Sequence, residues 1–335
     1  MYRAISAAEV IAFAFMTLGL ASMSCADGHE HAHDDAEETQ AAADAGMPEV
    51  VITAQPVTDD IYMLTGRGGN MGLFANDAVT LLIDDQFAPL ADRIVAAIAE
   101  VAERPVDYLI NTHWHFDHTG GNEAFGAMGS LIIAHDNVRV RMAKGARVEA
   151  FNLDVPPAPE VALPVVTYDG TITFHIGGQT VHGKHLPNAH TDGDTVLLLQ
   201  PANVLHTGDT FFHLLYPFID IDSGGSVDGL IAAVEAQLAM TDDETRIIPG
   251  HGPLATRADL ADYLSMLVTI RAAVAARIDA GDDLEGVLAA NVSAEFDATA
   301  NRFGFLTPDQ FVTSVHRSLM AARTDAAPEP PSADE

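Results

Sequence analysis

The chain has 335 residues, 48% of them hydrophobic, and sets 48 acidic against 16 basic side chains for a formal charge of −32. That is enough apolar material for one large domain or two small ones. A polyanion needs a basic footprint, and this composition, with Lys144 and Lys184 as its only lysines, excludes DNA and RNA as partners.

At the N-terminus, Arg3 precedes the apolar run Val10 to Ala21, and Ser24-Cys25-Ala26 offers a small-x-small cleavage site. Residues 1–26 therefore read as a secretory signal peptide, with a periplasmic or secreted product and no stable membrane anchor. The run is too short to span a bilayer. Cys25 raises a lipoprotein alternative, although Leu20 lies far upstream for a lipobox. Cleavage after Ala26 removes the one cysteine, so every metal ligand of the mature chain must be His or carboxylate. Residues 27–48 are acidic, carry His29, His31 and His33, and lack apolar periodicity, which predicts a disordered leader. Its histidines either gather zinc or belong to a solvated linker. Residues 49–323 form the expected domain, and 324–335 an expected disordered tail.

Strand and helix then alternate. Leu81-Leu82-Ile83 is a buried strand ending at Asp84, and Leu90, Ile94, Ile98 and Val101 repeat at helical spacing. Before them, the run Gly66 to Gly72 lacks the Lys-Ser/Thr of a phosphate loop and reads as a hairpin turn near the site. A second strand, Tyr108 to Asn111, runs into His113, and Leu131-Ile132-Ile133 makes a third, followed by a helix from Asn137. Thr171 to Ile176, Gly177-Gly178 and Thr180 to Leu186 form a hairpin. Strands follow at Thr195 to Leu199, Val204 to His206 and Arg246 to Ile248, with a helix after Ser226. Two helices close the domain. Thr256 to Ala280 opens on a Thr256/Asp259 capping box and stops at Gly281; Thr307 to Ala322 opens on Thr307-Pro308 with Gln310 three along.

The chemistry concentrates where strands end. Thr112-His113-Trp114-His115-Phe116-Asp117-His118 packs three imidazoles and a carboxylate into six positions. Such groups repel one another when protonated and carry unsatisfied lone pairs when buried dry, so a bound cation is their natural neutraliser. Further candidates stand at His190, in Asn188-Ala189-His190-Thr191-Asp192-Gly193, at Asp209 after Thr207-Gly208, and at His251 in Pro249-Gly250-His251-Gly252. His135, His175, His182, His206 and His316 read as packing or surface residues. His213, with Phe211, Phe212 and Tyr216, reads equally as pocket lining or as packing.

In this order of motifs, from Asp84 through His113-x-His115-x-Asp117-His118, His190 and Asp209 to His251, the chain resembles the metallo-β-lactamase superfamily over roughly residues 49 to 270. The resemblance implies an α/β fold, a four-layer αββα sandwich, in which His113, His115 and His190 hold one Zn²⁺, Asp117, His118 and His251 hold a second, and Asp209 bridges the two. It implies a hydrolase of small molecules whose two zincs share one hydroxide, nucleophilic at neutral pH. Asp117 would be the catalytic carboxylate that orients the nucleophile and passes its proton, and Asp84 would support a ligand histidine from behind. Iron is the alternative metal. A diiron oxidoreductase of this fold would carry Glu where this chain has His115, whereas single-iron sulfur dioxygenases keep a similar cluster. The leading substrate expectation is a β-lactam, hydrolysed at its amide in the periplasm. A glyoxalase II-like thioesterase and a lactonase or other ester hydrolase are the alternatives, and a non-catalytic zinc-binding protein is the alternative of a different class.

Overall fold

The computed structural model describes residues 50–148 and 151–325; the expected signal peptide, the leader and the tail beyond Asp325 lie outside the described residues. The described residues divide into two compact units, one reaching to Asp169 and including Phe174–Thr180, the other comprising Gly170–Thr173 and the described residues from Val181 onward.

The first unit holds a seven-stranded sheet in the order β1 (Thr53–Pro56), β2 (Ile61–Thr65), β3 (Met71–Ala75), β4 (Thr80–Ile83), β5 (Tyr108–Ile110), β6 (Leu131–His135) and β9 (Val166–Tyr168). A small ribbon of β7 (Ala146–Val148) and β8 (Leu153–Val155) stands apart from it. Pairing is antiparallel from β1 to β4 and parallel from β4 to β9. The central parallel strands β4, β5 and β6 are largely apolar on both faces, as parallel strands with covered faces are: Leu81, Leu82, Leu109 and Ile133 are completely buried. Helix α1 (Ala91–Ala99) presents Ile94 and Ile98 to a core shared with Leu73, Leu82, Leu109 and Ile132. Phe125 joins it from α3 (Asn122–Ala127), which follows the single turn α2 (Phe116–Thr119). After β6 comes α4 (Asp136–Lys144), where the predicted helix from Asn137 begins one residue early. The glycine-rich turn ends at Asn70 rather than Gly72, because Met71 is fully buried and pairs with Leu64 in the β2–β3 ladder.

In the second unit a six-stranded sheet runs β10 (Thr171–Ile176), β11 (Gln179–His185), β12 (Thr195–Gln200), β13 (Val204–His206), β14 (Arg246–Ile248) and β15 (Ala255–Thr256). The tip of the β10–β11 hairpin groups with the first unit, where Asn76 donates to the carbonyl of Gly177 at 2.8 Å. Helix α5 (Val227–Met240) is capped by the Ser226 hydroxyl, which accepts from the Gly229 N–H. It packs on α6 (Arg257–Asp279), whose predicted Thr256/Asp259 capping box is present and which ends before Gly281 at φ +91°. Two short helices, α7 (Leu284–Ala289) and α8 (Asp297–Ala300), lead to α9 (Pro308–Asp325), which packs on α6 and α7. There Thr307 and Gln310 cap each other, the Thr307 N–H donating to Gln310 at 2.8 Å and the Gln310 N–H to the Thr307 hydroxyl at 3.2 Å. Arg323 pairs with Asp279 of α6, and the helix continues to Asp325, two residues past the expected domain end at 323. Among the described residues, no helix is long and apolar enough to cross a membrane.

Candidate metal centre

The carboxyl ends of β4 and β5 carry the first unit's donors. Parallel pairing places these two ends side by side, with Ile83 opposite Ile110, where α/β sheets put their chemistry. Asp84 follows β4 with φ +62° and Gln86 with φ +57°. Non-glycine residues in that region cost on the order of 1 kcal/mol each and persist where neighbours enforce them. What enforces them is hydrogen bonding. The Gln86 amide oxygen accepts from the N–H groups of Arg67 and Gly68, and its nitrogen donates to the Gly69 carbonyl at 2.8 Å, which clamps the β2–β3 turn. The Gly69 N–H in turn donates to the Asp117 carbonyl at 3.1 Å. A β-carbon at Gly69 would stand 2.1 Å from the His118 imidazole, so only glycine lets this turn approach.

Asp84 is completely buried and accepts three bonds: from the Thr112 N–H at 2.7 Å, the Thr112 hydroxyl at 2.8 Å and His118 Nδ1 at 2.8 Å. The Thr112 hydroxyl, having given its proton to Asp84, can only accept from His113 Nδ1, 3.0 Å away. One carboxylate thus sets two tautomers, placing the protons of His113 and His118 on Nδ1 and leaving both Nε2 atoms as lone-pair donors. The two rings lie 4.3 Å apart, and His115 meets His113 edge-on at 4.8 Å. The His118 Nε2 to Asp117 Oδ2 distance is 3.7 Å. Asp85, one residue on, is also fully buried; burial pushes its carboxyl well above the usual carboxylate range, with Asp84 adding to the effect against the opposing Gly121 N–H.

In the second unit the parallel ends of β13 and β14 deliver Asp209 and His251, and the loop after β11 delivers His190. His190 Nδ1 donates to the Phe218 carbonyl at 2.8 Å, which leaves its Nε2 as the donor atom. Asp209 Oδ2 lies 3.6 Å from His190 Nε2 and 3.4 Å from His251 Nε2. Donors about 2.0–2.1 Å from a tetrahedral zinc stand about 3.3–3.4 Å apart. These spacings are long for hydrogen bonds and close to those of atoms that share an ion. Each unit by itself offers donors of the kind zinc takes: buried imidazoles with preset lone pairs in His113 and His118 of the first, and in the second the buried His190 with a carboxylate oxygen between two imidazoles. Gly250 holds this corner open: a β-carbon there would sit 2.1 Å from Asp209 Oδ1.

Four other histidines take structural places. His135 accepts from the Asn137 N–H at the start of α4 and meets the Asp169 carbonyl; His206 is buried and accepts from the Gly208 N–H; His175 and His182 pair with strand threonines. His213 lines a cavity of about 310 Å³ with Phe211, Asp259, Tyr263 and Phe296, its Nδ1 held by the Pro253 carbonyl and its Nε2 3.6 Å from Asp259. Tyr216 is packing, its hydroxyl donating to Asp297 at 2.7 Å, and burial together with that carboxylate pushes its pKa up. Reading the sequence missed Thr112, Asp85, Gln86 and Phe305. For Thr112 a signal existed, a hydroxyl directly before the first histidine at a strand end.

Residues 64–251 match the metallo-beta-lactamase superfamily. Over 164 residues the chain is 32% identical to a hydroxyacylglutathione hydrolase of Polaromonas sp. (strain JS666 / ATCC BAA-500), covering 49% of this chain and 55% of that one. The chain spans about half to two-thirds of the length of the first curated relatives it matches. Among solved structures, a metallo-beta-lactamase from Pontibacter korlensis superposes with a TM-score of 0.54 at 20% identity, covering 64% of this chain and 98% of that one. A sec-alkylsulfatase from Pseudomonas sp. superposes with a TM-score of 0.60 at 18% identity, covering 88% of this chain and 54% of that one. At such identities the likeness is one of fold, and it is the mixed α/β fold implied by the order of the motifs.

Proposed function

The chain belongs to the metallo-beta-lactamase superfamily, and from that premise we propose that it is an exported dinuclear zinc hydrolase that cleaves a small thioester or ester. The observation that carries this reading is Asp209, whose Oδ2 stands at ligand spacing from both His190 and His251. A carboxylate oxygen placed between two imidazoles suits a bridging ligand, and a bridge has a use only in a dinuclear centre. His113, His115 and His190 would hold one zinc, Asp117, His118 and His251 the other, with Asp209 shared.

Zinc, when bound, supplies a hydroxide nucleophile at neutral pH and polarises the scissile carbonyl. The protein's own part is to keep its donors deprotonated and aimed. Asp84 and Thr112 hold His113 and His118 with Nε2 bare, and the Phe218 carbonyl does the same for His190. Asp117, partly exposed beside the buried His118, would orient the attacking water, take its proton and return it to the leaving sulfur or oxygen. A thioester or ester is favoured over an amide because the relative with 32% identity is named a hydroxyacylglutathione hydrolase, and such leaving groups depart without the strong protonation an amine needs. Hydrolysis of β-lactams is the second reading. It is supported by the export sequence of residues 1–26 and by the fold shared with the Pontibacter korlensis enzyme.

Turnover of acyl thioesters, lactones and a chromogenic cephalosporin by the zinc-loaded chain, with Asp117→Ala as blank, tests both readings. A kcat/KM above about 10⁴ M⁻¹s⁻¹ on a thioester or lactone, lost in the blank, supports the first. The same result on the cephalosporin alone replaces it with the second. A holoprotein inert toward all of them and toward sulfate and phosphate esters would favour the non-catalytic zinc-binding protein.

A further inference from the structure

Within the second unit, the imidazole of His251 belongs to a stack of three rings. Phe212 lies parallel to it at 5.0 Å and 17°, Phe305 at 5.9 Å and 9°, and the two phenylalanines face each other at 6.0 Å and 18°. The two differ in environment. Phe212 is 1% exposed and belongs to the core, whereas Phe305 is half-buried and the His251 side chain keeps 19% of its surface open. A ring that served only to shield a metal donor would gain most by being buried completely, as Phe212 is. Phe305 instead keeps part of its surface available beside the donor.

The segment that carries it is held at both ends. Asn301 bridges to Leu215, while Leu306 is buried and runs into the Thr307/Gln310 cap of α9. Between these anchors, Gly304 takes φ +69° with open space where a side chain would be, and Phe303 is 43% exposed. A single exposed phenylalanine is ordinary on a protein surface. The segment thus carries an exposed Phe303 and, two residues on, a partly exposed Phe305 whose ring lies parallel to that of a candidate metal donor.

We infer that the segment Asn301–Leu306 is the binding wall for the apolar part of the acyl substrate, with Phe305 as the ring that contacts it. This rests on the proposed hydrolase reading and narrows it to thioesters or esters of medium-length or aromatic acids. Hydrophobic contact is worth about a factor of ten or more per few carbons placed against a fitted wall. The wild type should therefore prefer octanoyl over acetyl thioesters.

The test compares wild type, Phe305→Ala, Phe305→Leu and Phe303→Ala across acetyl, butanoyl, hexanoyl and octanoyl thioesters. Zinc content of each variant and calorimetric binding of octanoate against acetate are measured alongside. In Phe305→Ala the octanoyl-to-acetyl ratio of kcat/KM, taken per bound zinc, should fall at least about tenfold, and Leu should restore most of it. Phe303→Ala, at an exposed position, should fold normally and show a smaller loss of the same kind. A loss spread evenly over all chain lengths, or octanoate binding indifferent to Phe305→Ala, overturns the inference. A wild type inert toward every acyl substrate overturns the hydrolase reading instead, and octanoate binding then still decides the role of Phe305.

Discussion

Asp84→Asn is the most informative single change, because it alters no candidate ligand. Asparagine keeps one oxygen to accept from the Thr112 N–H, now bonded at 2.7 Å. It puts an NH₂ group where Oδ2 receives both the Thr112 hydroxyl and His118 Nδ1 at 2.8 Å. Two donors would then face a third. The threonine hydroxyl can rotate, but His118 relieves the clash only by moving its proton to Nε2, the atom that would hold the metal. Loss of such a supporting partner typically weakens metal binding about 10- to 100-fold, or about 1.4–2.7 kcal/mol. Leaving one buried donor unpaired costs stability of about 1–3 kcal/mol besides. Zinc affinity is read by competition with a chelating dye, and the His118 tautomer by ¹⁵N NMR of the imidazole. A variant that binds both zincs within threefold of wild type and keeps the proton of His118 on Nδ1 would refute the account of how this centre is set.

Asp117→Ala or His118→Ala should each remove the second zinc and lower turnover at least about a hundredfold; full zinc content with retained turnover in either variant would contradict the ligand assignment. Gly250→Ala places a carbon 2.1 Å from Asp209 Oδ1 and should displace the bridging carboxylate, so zinc stoichiometry by mass spectrometry should drop below two while far-ultraviolet circular dichroism stays unchanged. Asp85 has its pKa raised by burial, so the folded state holds its proton longer than the unfolded chain does, and stability falls as pH climbs from the normal carboxylate range up to the folded pKa. Asp85→Asn keeps the acceptor for the Gly121 N–H, bonded at 2.9 Å, and should flatten that decline in urea midpoints of the zinc-free protein between acid and neutral pH. Identical slopes in the two proteins would show that Asp85 is not the group responsible.

Much of the architecture was legible because local chemistry marks element ends. The capping boxes at Thr256/Asp259 and Thr307/Gln310, the Gly177-Gly178 hairpin and the strands Val204–His206 and Arg246–Ile248 stand where the residues place them. The three strands β1, β2 and β3 were less legible. β1 is the exposed tetrapeptide Thr-Ala-Gln-Pro, and β3 contains a glycine; both are strands because the register of β2 supplies their partners, which is a long-range condition.

The same division runs through the candidate site. Sequence alone named the candidate donors, because imidazoles and carboxylates beside glycines at strand ends have few uses other than metal. Its export signal and its acidic composition, which argues against a nucleic-acid partner, stand as expectations. Tertiary structure alone decided how the donors are prepared. Asp84 reaches His118 across 34 positions of chain, Thr112 hands the effect on to His113, and Gly69 and Gly250 vacate the space the donors occupy. It alone set Phe305 parallel to His251, more than fifty positions earlier. Hydrogen bonds and ring contacts act over a few ångströms in space and are indifferent to separation along the chain, so residue types can announce a metal centre while its tautomers and its apolar wall exist only once the chain has folded.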